Sequence, residues 1–300
     1  MKLKNILIIG AKGQLGTQLM KFAENGECSL GKLDAAYSNA TFTGIDLPEI
    51  DITSIDSVRE VLLGNRPQLV VNCAAFTNVD GCETNESTAH AVNADGPENI
   101  AIVCKEIDAA LVHVSTDYVF PGSKPGERVE SDDTAPISAY GRTKLEGENR
   151  ALAAWEKTHI VRTAWLYGLY GKNFVDTMVN LSKTHDELNV VADQFGNPTN
   201  AEDLAFELTK IALSNSFGIW HATGEGTCTW ADLAEKAIRL YGNNCKVNRV
   251  TSEEYKAINP ASAERPHYSS LKNKHLTDTI GNDMRPWEIA LESFMKDYRS

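Results

Sequence analysis

Short apolar runs alternate with amphipathic stretches through the first half of this chain. Asn5-Ile6-Leu7-Ile8-Ile9 is a β-branched run that stops at Gly10-Ala11-Lys12-Gly13-Gln14-Leu15-Gly16, which predicts a buried strand, a tight turn and the start of a helix. Thr41-Phe42-Thr43-Gly44-Ile45-Asp46 predicts a second strand, after a polar, small-residue segment from Asn25 to Ala40 that reads as a loop insertion. Residues 68–75 and 110–117 are apolar runs that stop at small or polar residues, and 158–168 predicts a further sheet strand that exits into loops. Alternation of this kind from residue 5 to about 165 is the signature of β-α-β units. Beyond it the pattern is irregular: a helix around 174–183, a strand around 188–192, a helix over 200–213 opened by Pro198 and Thr199, a strand over 218–222, and a helix from Thr229 to about Tyr241. The remaining tail is rich in Pro, Asn, Ser and charge. The expected fold is α/β, a Rossmann-type doubly wound parallel sheet with a smaller C-terminal α/β lobe.

The glycine turn has chemical meaning because it follows a buried-type strand. Glycine allows positive φ and close approach to a pyrophosphate, and the helix behind it offers free amides and a positive dipole end. The spacing G-x-x-G-x-x-G departs from the G-x-G-x-x-G form. An ordinary tight turn is the alternative, but the turn's place at residue 10 favours a dinucleotide site, with Gly10, Gly13, Gln14 and Leu15 as its candidates and Gly13 and Gly16 as the close-approach positions. Asp46 ends the second strand as an acceptor for an adenosine ribose, and lies further from the glycines than the usual ~20 residues. Asp51 and Ile52 could border the adenine; a helix N-cap at Thr53, Ser54 or Asp56 is an equally good reading of that stretch.

Tyr140 and Lys144 stand four residues apart behind Pro136; if Pro136 opens a helix, both point at one site. A phenol of ordinary pKa about 10 with an adjacent ammonium reads as a tuned general acid. In an open parallel sheet ligands sit beyond the carboxyl ends of the strands, so Ala74, Ala75, Thr116 and Asp117 would gather over the glycine loop. Thr116 is then a candidate hydrogen-bond partner for a reacting carbonyl. His113 reads as a packed strand residue, and Asp80 and Glu83 as loop charges.

A net charge of -12 in 300 residues argues against a nucleic-acid or anionic-membrane partner, which would need a basic patch. No stretch approaches ~18 uninterrupted apolar residues, and Met1-Lys2-Leu3-Lys4 runs straight into the first strand with no cleavable signal, so a cytoplasmic enzyme is expected. Six cysteines form no C-x-x-C pair, so they read as free thiols and no metal site is expected.

Gly10 to Gly16, Val71-Asn72-Cys73-Ala74-Ala75, Ser115-Thr116-Asp117-Tyr118-Val119-Phe120 and Tyr140-x-x-x-Lys144 together resemble the extended short-chain dehydrogenase/reductases. Asp193-Gln194-Phe195-Gly196-Asn197-Pro198-Thr199 and Ala263-Glu264-Arg265-Pro266 resemble, within them, the branch of the dTDP-4-dehydrorhamnose reductases. The resemblance spans nearly the whole chain. It implies a dinucleotide-binding domain over 1–165, with segments near 197–222 returning to it, and a substrate-binding lobe over 166–196 and 223–300. It implies NADPH, or NADH, as cofactor and a nucleotide sugar as substrate, its 4-keto group being reduced to give dTDP-L-rhamnose. Tyr140 would protonate the oxygen at C4, Thr116 would hold that oxygen, and Lys144 would bind the nicotinamide ribose. Asp117 and Trp165 would touch the sugar or its nucleotide, and Arg265 the diphosphate; the plainer alternatives are a strand-end cap, a core aromatic and a surface charge. Phe76 stands where related reductases often carry His after the Ala-Ala pair, so packing replaces a polar cofactor contact. Gln18 stands where some members carry a Glu in a magnesium-linked dimer contact, so a homodimer, if formed, is not expected to be bridged by metal. The rival readings are another nucleotide-sugar 4-keto reductase, an epimerase that keeps its cofactor trapped, and a non-catalytic cofactor-binding regulatory subunit.

Overall fold

The computed structural model describes residues 3–299; Met1 and Lys2, part of the amino-terminal reading above, lie outside the described residues. Six parallel strands form the central sheet: β1 (Asn5–Ile9), β2 (Thr41–Ile45), β3 (Leu69–Asn72), β4 (Ala110–Thr116), β5 (Thr158–Thr163) and β6 (Gly218–His221). Their order is β6-β5-β4-β3-β1-β2. The direction of winding reverses between β1 and β3, and that reversal opens a crevice beyond the strand ends.

Side-chain alternation along β1 accounts for the layers. Ile6 and Ile8 face a core shared with Leu15 and Leu19 of the helix Gln14–Asn25 and with Leu204 and Leu208 of Ala201–Ile211. Leu7 and Ile9 face the opposite core, with Val58 and Leu62 of Ile55–Asn65 and Ile100 and Val103 of Gly96–Glu106. Both faces are covered, as an all-parallel sheet requires.

A third core joins Phe174–Leu181, Trp230–Tyr241 and Trp287–Tyr298 through Val175, Val179, Leu233, Trp287 and Leu291. Beside it Glu187–Val191 pairs in parallel with Lys246–Val250. The tail is therefore more ordered than its composition suggests: it holds that strand and the helices Ser252–Ile258, Lys274–Thr279 and Trp287–Tyr298. The segment read as a loop insertion carries a short hairpin, Glu27–Cys28 with Gly31–Lys32.

Two boundaries differ from the sequence reading. The helix bearing Tyr140 spans Ala139–Ala154 and is opened not by Pro136 but by Ser138, two residues later, whose hydroxyl accepts from the Gly141 amide. The run 158–168 is broken at Trp165, whose φ of 46° turns the chain out of the sheet; a short strand, Leu166–Tyr167, then pairs with Thr199–Asn200.

Candidate active site

A cavity of about 690 Å³ lies over the carboxyl ends of β1, β3, β4 and β5. Gly10, Gly13, Gln14, Leu15 and Gly16 line one wall, Asp46, Asp51 and Ile52 one end, and Ala74, Ala75, Thr116, Asp117, Tyr140, Lys144 and Trp165 are among the residues of the other walls. Two candidates lie elsewhere. Phe76 is half-buried and packs with Tyr140 against Cys82, Ala89 and Ala139. Arg265 sits on a neighbouring loop, where its guanidinium donates to Asp80 Oδ1 at 3.0 Å and to the Ala263 carbonyl at 3.1 Å.

The glycine wall fits a pyrophosphate. A Cβ on Gly10 would come within 2.7 Å of the Ala74 amide nitrogen, with φ at +79°, and one on Gly16 within 2.2 Å of the Gly10 carbonyl oxygen. The turn is thus drawn as close as backbone can be to the helix behind it. That helix, Gln14–Asn25, starts at Gly13 with no side-chain cap, so its first amides have no side-chain acceptor. At the far end the Asp46 carboxylate accepts from the Lys12 amide at 3.0 Å and the Leu47 amide at 2.9 Å, tying the strand end to the glycine turn. Asp51 accepts from the amide and hydroxyl of Thr53, and the helix that follows is capped by Ser54.

On the opposite wall, Thr116 ends β4 and Asp117 follows. The Thr116 hydroxyl donates to Asp117 Oδ1 at 2.9 Å and accepts from the Tyr118 amide at 3.2 Å, so Thr116, not Asp117, caps this turn. Burial pushes the Asp117 carboxyl up to about 6, while the nearby Ser269 hydroxyl and the hydrogen bond from Thr116 pull it down. Burial also pushes the Tyr140 phenol upward; the Thr116 hydroxyl draws it back, and the Asp117 charge adds to the rise. A phenol so placed keeps its proton, the state a donor needs. The edge of one ring meets the face of the other between Tyr118 and Tyr140, their centres 5.5 Å apart.

Lys144, one turn along the helix, is buried; its ammonium donates to the Val114 carbonyl at 2.7 Å and lies 3.3 Å from His113 Nε2. Burial brings its pKa down to about 8, against an upward pull from Glu148 and Cys73.

Several supports carry no local sequence signal. Glu83 accepts from the Ala139 amide at 2.8 Å, capping the Tyr140 helix from another part of the chain. Asn93, in the π-helical segment Ala91–Asp95, holds both the amide and the carbonyl of Phe76 and donates to Thr143 on the Tyr140 helix. Trp230 stacks on Trp165 with ring centres 3.5 Å apart and planes 7° from parallel, and both line the cavity. Among the described residues no group of three or more His, Cys, Asp or Glu is placed to hold a metal, and no helix is long and apolar enough to cross a membrane.

An uncapped helix start facing a half-buried phenol and a buried threonine across a parallel-sheet crevice belongs to the Rossmann-type oxidoreductases of the extended short-chain class. Residues 4–300 match the RmlD substrate binding domain, and the chain belongs to that family. It is 36% identical to a dTDP-4-dehydrorhamnose reductase of Aggregatibacter actinomycetemcomitans, over 96% of this chain and 97% of that one. A crystal structure of a dTDP-4-dehydrorhamnose reductase from Clostridium acetobutylicum superposes with a TM-score of 0.92 at 41% identity, covering 99% of this chain and 100% of the other. A Bacillus anthracis dTDP-4-dehydrorhamnose reductase in complex with NADP gives 0.90 at 36% identity, with the same coverage.

Proposed function

We propose that this protein reduces the 4-keto group of dTDP-4-dehydro-6-deoxy-L-mannose with NADPH, giving dTDP-L-rhamnose in the last step of its synthesis. The observation that carries the reading is the meeting of Thr116, Tyr140 and Lys144 in one cavity opposite the Gly10–Gly16 turn. The cofactor supplies the hydride to C4. Gly13, Gln14 and Leu15 present the helix-start amides to its pyrophosphate, and Asp46, Asp51 and Ile52 border its adenosine. Tyr140, kept protonated by burial, donates its proton to the oxygen formed at C4 and regains one from solvent. Thr116, held at rest by Asp117 and the Tyr118 amide, turns its one hydroxyl hydrogen from Asp117 Oδ1 to the same oxygen when substrate binds. Lys144 supplies positive charge on the nicotinamide side.

Asp117 and Trp165 orient the sugar nucleotide, Trp165 being held flat by Trp230. Arg265 reaches the diphosphate from the loop that Asp80 anchors. The soluble substrate and the absence of a membrane-crossing helix among the described residues favour action in the cytoplasm. The test is product formation: the protein, NADPH and enzymatically generated dTDP-4-dehydro-L-rhamnose should yield dTDP-L-rhamnose on chromatography. A different 4-hydroxy epimer, or none, would overturn the assignment.

A further inference from the structure

His113 is fully buried in β4, behind the cavity wall that Lys144 lines, with a nitrogen-bearing partner at each ring nitrogen. On one side Asn72 Nδ2 lies 3.0 Å from Nδ1. The orientation of that amide is dictated by its other end, where Asn72 Oδ1 accepts from the Ala74 amide at 3.1 Å. Asn72 must therefore donate to His113, and Nδ1 must accept. A neutral imidazole accepts at one nitrogen only, so Nε2 carries the hydrogen and points it at Lys144 Nζ, 3.3 Å away. Burial and the Lys144 charge both hold the imidazole pKa well below its ordinary value, so protonation offers no escape.

We infer that His113 is a positioning residue whose tautomer, set by Asn72, denies Lys144 a second protein acceptor. The ammonium is left with the Val114 carbonyl, and its other hydrogens remain for the cofactor. The same N–H favours the neutral amine, which can accept from it. The other titratable groups acting on Lys144 are Cys73, from the end of β3, and Glu148, one turn further along its own helix; both favour the charged form. The inference rests on the reading of Lys144 as the cation that serves the cofactor, and it adds a consequence: NADPH affinity should fall as pH rises through about 8, where Lys144 loses its proton.

Two-bond nitrogen–proton correlation spectra of protein labelled with 15N-histidine read the tautomer directly, without cofactor or substrate. The expected result is protonation of His113 at Nε2 alone; protonation at Nδ1 would overturn the inference. The second arm is Asn72→Asp, nearly isosteric, which keeps the acceptor for Ala74 but accepts at His113 Nδ1, so that Nε2 becomes an acceptor for the ammonium. Its tautomer should invert, and the pH at which NADPH affinity breaks should rise by about one unit. A break that stays in place while the tautomer inverts would refute the link to Lys144. A rise that persists undiminished in His113→Phe/Asn72→Asp would also refute it, by assigning the effect to the new charge. Failure of the wild-type protein to bind NADPH would count against the proposed function, and the tautomer would still decide the inference.

Discussion

Glu148→Gln removes one charge from a buried pair directly behind the catalytic strand. Glu148 and Arg162 are 1% and 2% exposed, and the guanidinium meets the carboxylate twice, Nη2 to Oε2 at 2.7 Å and Nε to Oε1 at 3.0 Å. Ser115, next to Thr116, donates to the same carboxylate at 2.5 Å. The glutamine preserves shape but leaves Arg162 without a counter-charge, a change that costs about 3–5 kcal/mol when one partner of a buried pair is removed. For a chain of this length that corresponds to a fall in Tm of about 5–8 °C. Arg162 Nη1 has no partner, so the pair's own desolvation is incompletely offset. Replacing both residues, as Glu148→Leu/Arg162→Met, should therefore recover most of the loss. Thermal unfolding of the two singles and the double, followed by circular dichroism, gives the cycle. A Tm within about 2 °C of wild type for Glu148→Gln would refute the reasoning. So would a double variant less stable than either single.

Lys144→Ala should weaken NADPH binding and slow turnover together, measured by fluorescence titration and steady-state rates; an effect on neither would reduce the Tyr140–Lys144 pair to a helix-face contact. Gly16→Val should abolish cofactor binding or unfold the turn, since even its Cβ would lie 2.2 Å from the Gly10 carbonyl; retained affinity at unchanged Tm would contradict the close packing of that wall. Asp117→Asn should stabilise the protein at pH 8 by up to about 3 kcal/mol, the cost of raising a carboxyl by about two units. Because the folded-state pKa is raised to about 6, that cost is fully present above pH 6 and disappears as the pH falls toward the unfolded value; Tm measured at pH 8 and at pH 5 should show the gain shrinking. The same substitution should impair turnover with the sugar nucleotide.

The parts of this molecule legible in its sequence are those dictated by local pattern. β1 and its glycine turn, β3, β4 and the Tyr140–Lys144 spacing announce themselves because buried parallel strands are continuous apolar runs and a helix places i and i+4 on one face. The strand Lys246–Val250 does not, since Lys, Asn and Arg at an edge look like loop until Glu187–Val191 pairs with them. Trp165 sits inside an apolar run, and nothing in that run signals the positive φ that ends the strand; it arises where the chain turns to stack the indole on Trp230, 65 positions later. The helix Trp287–Tyr298 lies in a tail rich in Pro, Asn, Ser and charge, where its apolar face becomes legible only against the third core that it completes. Glu83 and Asp80 read as loop charges because their partners, Ala139 and Arg265, are 56 and 185 residues away. His113 is packed in its strand, as its place in an apolar run implies; its two polar neighbours come from β3 and from the Tyr140 helix, beyond the reach of any local pattern.

The central claim is that Tyr140 is the acid in a 4-keto reduction. The measurement that meets it most directly is single-turnover oxidation of NADPH with dTDP-4-dehydro-L-rhamnose, wild type against Tyr140→Phe, at cofactor concentrations that saturate both. The account predicts rapid absorbance loss with formation of dTDP-L-rhamnose in the wild type, and a rate about 10²–10⁴-fold lower in the variant at nearly unchanged NADPH affinity. Equal rates in the two proteins, or no oxidation by the wild type, would contradict it.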